Sequence, residues 1–213
     1  MGLLVDGVWQ DEQHIARTSD GRFVRPTTRF RNWVTEDGSP GATGEGGFAA
    51  ARGRYHLYVA LPCPWAHRTV IMRMLKGLED VVSMSVLEPL YGPHGWRFGT
   101  SPGTVPDSVN GASELAEIYL RADPRYTGRV SVPALWDKER RTIVNNESAE
   151  IIRMLNGAFG RFTNAASCRW GRSSIFWRRT TATGSRIRVC LARNHRRFAD
   201  AACRPSRAVH PRR

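Results

Sequence analysis

One stretch constrains the fold of this chain more than any other. Residues 55–78 read YHLYVALPCPWAHRTVIMRMLKGL. An apolar, β-branched and aromatic run meets one cysteine held between two prolines, then changes at once to helical periodicity. Residues 55–61 predict a strand bounded by Gly53 and Pro62. Pro64 suits the first turn of a helix, where its preset φ fits and its missing N–H has no intrahelical partner to lose. Val70, Ile71, Met74, Leu75 and Leu78 recur at helical spacing and Gly77 marks the end, which predicts a helix over 64–78. Cys63 therefore sits at a strand-to-helix junction.

The pattern continues through the next eighty residues. VVSMSVL at 81–87 predicts a second strand, and the Gly- and Pro-rich stretch from Pro89 to Asn110 a long loop. ASELAEIYLRAD at 112–123 predicts a helix stopped by Pro124. VSVPALWD at 130–137 predicts a strand interrupted by Pro133, and RTIVNN at 141–146 another strand. ESAEIIRMLN at 147–156 predicts a third helix, with Asn146 as its N-cap. The order is β-α-β, then α, then β-β-α. A helix between strands implies a crossover, and the last two strands are joined too tightly for anything but a hairpin. A four-stranded mixed sheet with three helices follows. A proline inside a strand belongs at an edge, a bulge or a cis bond, so the Val132–Pro133 bond is a candidate cis bond. Ahead of this unit, residues 1–50 are polar and glycine-rich and predict an extended arm. EDGSPGATGEGG at 36–47 is a loop, and the arm wraps the domain through aromatic anchors.

Charge divides the chain. The net charge is +13, which at first sight suggests a nucleic-acid binder. Residues 161–213 hold 14 arginines, no lysine and one acid, Asp200. The first 160 residues hold 18 basic and 18 acidic side chains and are neutral. The first residues, MGLLVDGVWQDEQ, lack the basic start of a secretion signal, and Asp6 stands where a myristoylation motif needs Ser or Thr. No run reaches the roughly 18 apolar residues of a membrane helix. Cys63 is alone in the neutral part, which excludes an internal disulfide there and fits a reducing, cytoplasmic setting.

At the N-terminus of a helix, unpaired N–H groups and the positive end of the dipole favour a thiolate, the nucleophilic form of cysteine. The position three residues on, where a dithiol couple has its second cysteine, is Ala66. This is a monothiol site: it forms a mixed disulfide with a small thiol and needs a second thiol from solution to resolve it. The alternative reading of Cys63 is an inert buried thiol. Val132, ahead of Pro133, offers backbone groups to an extended peptide, and Glu147-Ser148 at a helix start offers N–H groups to a carboxylate. His67 reads as a packing residue outside the site.

Several segments together resemble one family. GRYHLYVALPCPWAHRTVIMRMLKGLED (53–80) is similar to the active-site segment of the glutathionyl-hydroquinone reductases, glutathione transferase relatives of the Xi class. RFRNWVTEDGSPG, HGWRF and DPRYTGRVSVPALWDKERRTIVNNESAEIIRMLN resemble the same family in the same order, from about residue 20 to about residue 158. The resemblance implies an α/β, thioredoxin-like domain over 51–158 that uses glutathione as co-substrate and no metal. It implies Cys63 as nucleophile. Trp96 and Arg129 contact glutathione, Val132 next to Pro133 pairs with its cysteinyl backbone, and Glu147 and Ser148 bind its γ-glutamyl end. The implied reaction is reduction of glutathionyl-hydroquinones. A broader glutathione transferase or dehydroascorbate-reductase-like activity uses the same cysteine with another acceptor.

The resemblance stops near Phe159, where the family continues into an all-helical domain. Residues 159–213 hold no tyrosine and no helical periodicity. Their composition is what a GC-rich coding sequence gives out of frame, so a frameshifted or truncated end, disordered, is expected. A basic arm that binds nucleic acid through arginines and Trp170, Phe176 and Trp177 is the non-enzymatic alternative. Cys168, Cys190, Cys203, His195 and His210 lack a close Cys-x-x-Cys pair, and no metal site is expected. Without a helical domain the apolar face of the first domain stays exposed, with a marginal, aggregated or homodimeric chain as the outcome; glutathione-dependent exchange at Cys63 is expected to survive, and reduction of the hydroquinone conjugate to be impaired by loss of its pocket wall.

Overall fold

The computed structural model describes residues 2–10 and 28–163. The frameshift, disorder and nucleic-acid readings of the Arg-rich tail fall on 164–213, outside the described residues. Phe159, expected to open that tail, belongs instead to the core, edge-on to Tyr55 at 5.8 Å. A short 3-10 turn, Gly160–Phe162, follows it.

The centre is β3 (Tyr55–Val59), whose five residues are all buried. β4 (Ser83–Val86) pairs with it in parallel and β5 (Ala134–Asp137) antiparallel. β6 (Thr142–Asn145) pairs antiparallel with β5, which gives the order β4-β3-β5-β6, the mixed four-stranded sheet expected. The helices are α1 (Pro64–Leu75), α2 (Leu115–Ala122) and α3 (Ser148–Gly157). α1 packs on α3, and α2 on β6. Alternate residues of β3 face opposite ways. Tyr55 meets Phe159 just beyond α3, whereas Tyr58 reaches Asp107 and Phe98 of the long loop.

Several boundaries differ from expectation for local reasons. α1 ends at Leu75 because Lys76 closes it and Gly77 turns the chain at φ 59°. α2 begins only at Leu115. The Glu117 carboxylate takes the Ser113 and Glu114 N–H groups, a capping box that holds the preceding residues out of the helix. β5 begins at Ala134, and the Val132–Pro133 bond is cis. The N-cap of α3 is Glu147, not Asn146: Glu147 accepts from Ala149 N, while Asn146 Nδ2 donates elsewhere, to Tyr119.

The expected extended arm contains a hairpin, β1 (Leu3–Val5) and β2 (Val8–Gln10) around the Asp6-Gly7 turn. Further on, Asn32 N donates to Val144 O at 3.0 Å, and Asn146 N to Phe30 O at 3.2 Å. The arm thereby lies along the free side of β6 and covers a sheet edge. Arg31 anchors it by donating to both carboxylate oxygens of Glu150. Burial raises the Glu150 pKa, but the hydrogen bonds from Arg31 and Asn145 outweigh it and hold the carboxyl below its ordinary value. No helix among the described residues is long and apolar enough to cross a membrane.

His56 on β3 is fully buried, with Nδ1 2.8 Å from Ser83 Oγ and Nε2 3.0 Å from Ser85 Oγ. Burial, with the Lys138 and Arg73 charges acting the same way and Asp107 opposing, pushes its pKa down to about 4. The unfolded chain takes up this proton near pH 6.5, the folded one only near 4, so stability rises with pH across that window. The contribution is complete above about pH 6.5 and falls by about 3 kcal/mol as pH drops to 4. His56→Gln removes the proton uptake, so its urea-unfolding free energy declines less steeply from pH 6.5 to 4; an unchanged slope would assign the acid loss to other groups.

Candidate active site

Cys63 is the N-cap of α1, in extended conformation at φ −81° and ψ 112°. Its N–H donates to Ala60 O at 3.1 Å, and its carbonyl accepts from His67 N at 2.8 Å, the first turn of the helix. The register of β3 on β5 sets Tyr58 opposite Ala134. Residues just past the end of β3 therefore meet residues just before β5. Cys63 Sγ lies 3.8 Å from the Val132 carbonyl oxygen, and the thiol is half-buried. Sγ is thus within reach of both the backbone ahead of Pro133 and the start of a helix. The ring of exposed His67 donates from Nδ1 to Leu61 O at 3.1 Å and braces the loop.

Tyr119 of α2 fixes the Val132 side. Its hydroxyl donates to Ser131 O at 2.7 Å and accepts from Ser131 N at 3.2 Å and Asn146 Nδ2 at 3.1 Å. Burial raises its pKa, against hydrogen bonds from Ser131 and Asn146 that lower it. One phenol thus ties the residue before Val132 to the residue before Glu147. Nothing in the sequence marked Tyr119, because its role rests on three elements meeting.

Glu147 and Ser148 stand together at the start of α3, and Arg68 of α1 holds both. Its Nε donates to Ser148 Oγ at 3.0 Å, Nη2 also donates to Ser148 Oγ, and Nη2 lies 3.8 Å from Glu147 Oε1. The guanidinium sits over the Trp65 ring at 4.9 Å. Arg68 was legible only as one more polar residue of α1, though it lies five residues after Cys63. Cys63, Val132, Ser131, Tyr119, Asn146, Glu147, Ser148 and Arg68 form a continuous circuit back to α1.

Trp96 and Arg129 form a second group. Half-buried Trp96 meets Tyr91 edge-on at 5.1 Å. Burial raises the Tyr91 hydroxyl pKa, and the Arg129 charge pulls against it. The Arg129 carbonyl accepts from Tyr126 OH at 3.1 Å.

A cysteine opening a helix beside the residue before a cis proline, on a β-α-β plus β-β-α sheet, defines a thioredoxin-like domain of the glutathione transferase kind. Residues 62–158 match the family model described as glutathione S-transferase, N-terminal domain. The chain is 57% identical over 160 residues to glutathionyl-hydroquinone reductase YqjG of Escherichia coli (strain K12), covering 75% of this chain and 49% of that protein. It is 50% identical over 159 residues to glutathionyl-hydroquinone reductase PcpF of Sphingobium chlorophenolicum, covering 75% and 48%. The solved glutathione-bound structure of YqjG superposes with a TM-score of 0.66 at 53% identity, covering 76% of this chain and 47% of that one. The chain thus spans about half the length of the curated relatives it matches. Over that half it carries the N-terminal domain of the glutathione transferase family, and it is similar there to these glutathionyl-hydroquinone reductases and to a Xi-class glutathione transferase structure from Natrialba magadii, at 45% identity and a TM-score of 0.66, covering 77% of this chain and 47% of that one.

Tyr119→Phe leaves the Ser131 backbone and the Asn146 amide without their shared partner in a buried setting. It lowers unfolding free energy by about 1–3 kcal/mol, measured by urea denaturation. A change under about 0.5 kcal/mol would show that the segment before Val132 holds its position without the phenol.

Proposed function

We propose that this domain carries out glutathione-dependent reduction of glutathionyl-hydroquinones through a mixed disulfide on Cys63. The observation that carries the proposal is Cys63 Sγ at the start of α1, 3.8 Å from the Val132 carbonyl. A cysteinyl backbone laid antiparallel to Val132 presents its sulfur to the thiolate there. In the first step the Cys63 thiolate attacks the sulfur of the glutathionyl-hydroquinone. The carbon–sulfur bond breaks, a sulfur–sulfur bond forms, and the ring carbon takes up a proton as hydroquinone leaves. In the second step a glutathione thiolate attacks the glutathionyl sulfur of the mixed disulfide. Glutathione disulfide leaves and the Cys63 thiolate returns. Over both steps one glutathione thiol and the substrate's thioether sulfur are each oxidised by one electron to form the disulfide, and the ring carbon gains the two electrons, so the electrons balance.

The other residues serve the tripeptide in this reading. Arg68, Glu147 and Ser148 receive its γ-glutamyl end, with charge-assisted bonds from Arg68 to the α-carboxylate. Trp96 and Arg129 hold the remainder. The reading is supported by YqjG and PcpF, which are named for this activity, and by the glutathione-bound state of the YqjG structure. Glutathione as co-substrate suits a reducing, cytoplasmic setting.

The test is release of hydroquinone from a glutathionyl-hydroquinone by the purified chain with added glutathione. Turnover is expected, and Cys63→Ala abolishes it; turnover retained in Cys63→Ala would refute the mechanism. Arg68→Ala is expected to weaken glutathione binding about tenfold by calorimetry, about 1.4 kcal/mol. Unchanged affinity would remove Arg68 from the site.

A further inference from the structure

The β1–β2 hairpin touches both loops that carry the second group of site residues. The first contact is with the loop before Arg129. Leu4 N donates to Gly128 O at 2.9 Å, and Gly128 N to Leu4 O at 2.8 Å, a closed antiparallel pair. Gly7 N donates to Tyr126 O at 3.1 Å, and Asp6 N to Thr127 Oγ1 at 2.8 Å. Leu4 is the hairpin residue sunk in the core, 1% exposed. Tyr126 in turn donates its hydroxyl to the Arg129 carbonyl. The second contact is with the loop before Trp96. The Trp9 ring lies against Gly95, where an added Cβ would come within 2.8 Å of it, and meets the His94 ring at 6.4 Å.

We propose that this hairpin is a positioning element for glutathione: it clasps residues 94–95 and 126–128 and so sets Trp96 and Arg129 relative to each other, without itself touching the tripeptide. The proposal rests on the reading of Trp96 and Arg129 as glutathione contacts. The fit at the hairpin tip is specific. Gly7 has φ 81°, and a Cβ there would lie 2.2 Å from the Pro124 carbonyl oxygen, a backbone atom that cannot swing aside. The exposed Asp6–Arg125 ion pair at 3.2 Å adds little to this attachment. Backbone pairing, one buried leucine and the Trp9 contact are what hold the clasp. Misplacing a ligand group by an ångström is enough to cost affinity, while Cys63 keeps its own bonds to Ala60, His67 and Val132.

Gly7→Ala removes the tip contact and Trp9→Ala the second contact. In each variant the KM for glutathione is expected to rise about tenfold. The rate of Cys63 alkylation by iodoacetamide without glutathione, followed on the Cys63 peptide by mass spectrometry, stays within about twofold of wild type. Trp9→Phe restores most of the affinity. In Gly7→Ala, hydrogen-exchange protection of the Leu4 and Gly128 amides is lost. Unchanged KM after that protection is lost would overturn the proposal, as would protection retained in Gly7→Ala. A parallel loss of Cys63 alkylation would also overturn it, since it would assign the hairpin a general structural role. If wild-type protein gives no glutathione binding by calorimetry, the glutathione reading itself fails and this proposal with it. Failure of the clasp alone shows as normal wild-type binding with unshifted variants.

Discussion

The antiparallel pairing of β3 with β5 is the constraint on which the site depends. With Tyr58 opposite Ala134, the chain leaving β3 and the chain entering β5 arrive at the same end of the sheet. Cys63 and Val132 are 69 residues apart in sequence, and this pairing brings them together where Tyr119 fixes the segment before Val132. A register slip of one residue would turn the buried strand inside out, sending Leu57 toward the loop side and Tyr58 toward α3. The burial of all five β3 residues makes such a slip very unfavourable. Core packing and site geometry are therefore held by the same register.

Around that meeting point, polar side chains that are buried or half-buried bridge pairs of partners. Tyr119 serves Ser131 and Asn146, and Arg68 serves Ser148 and Glu147. On the other face of β3, Asp107 accepts from Tyr58 OH and from the N–H groups of Val109, Asn110 and Ala112, which shapes the loop before α2. Arg73 donates to Val82 O and Glu79 O and fastens the end of α1 to the approach of β4. Each of these groups would be costly to bury alone, and each closes a loop by being buried with partners. The arrangement makes the loops part of the core, although they lack regular secondary structure.

Much of this was legible in the sequence. The change of periodicity at Pro62–Pro64 placed Cys63, and the spacing of Val70, Ile71, Met74 and Leu75 gave α1. The hairpin at the start was not read, although LLVDGVWQ carries its signal: β-branched and apolar residues on both sides of Asp-Gly. Strands of three residues fall below the length at which alternation speaks. Asn146 was misread as a cap because sequence shows that a side chain can accept, not that its amide is turned to Tyr119 with its oxygen off the helix N–H groups. Arg68 and Tyr119 were invisible for the same reason. Their importance lies in which elements meet, and no periodicity records that.

Arg68 carries a thermodynamic consequence. Its guanidinium is already oriented, donating to Ser148 and stacked over Trp65, before any ligand arrives. An incoming carboxylate exchanges partners with Ser148 instead of adding bonds to an unpaired cation. Discrimination between ligands rests on shape, since total charge gives a bystander anion little to gain. Such a site is selective in a mixture.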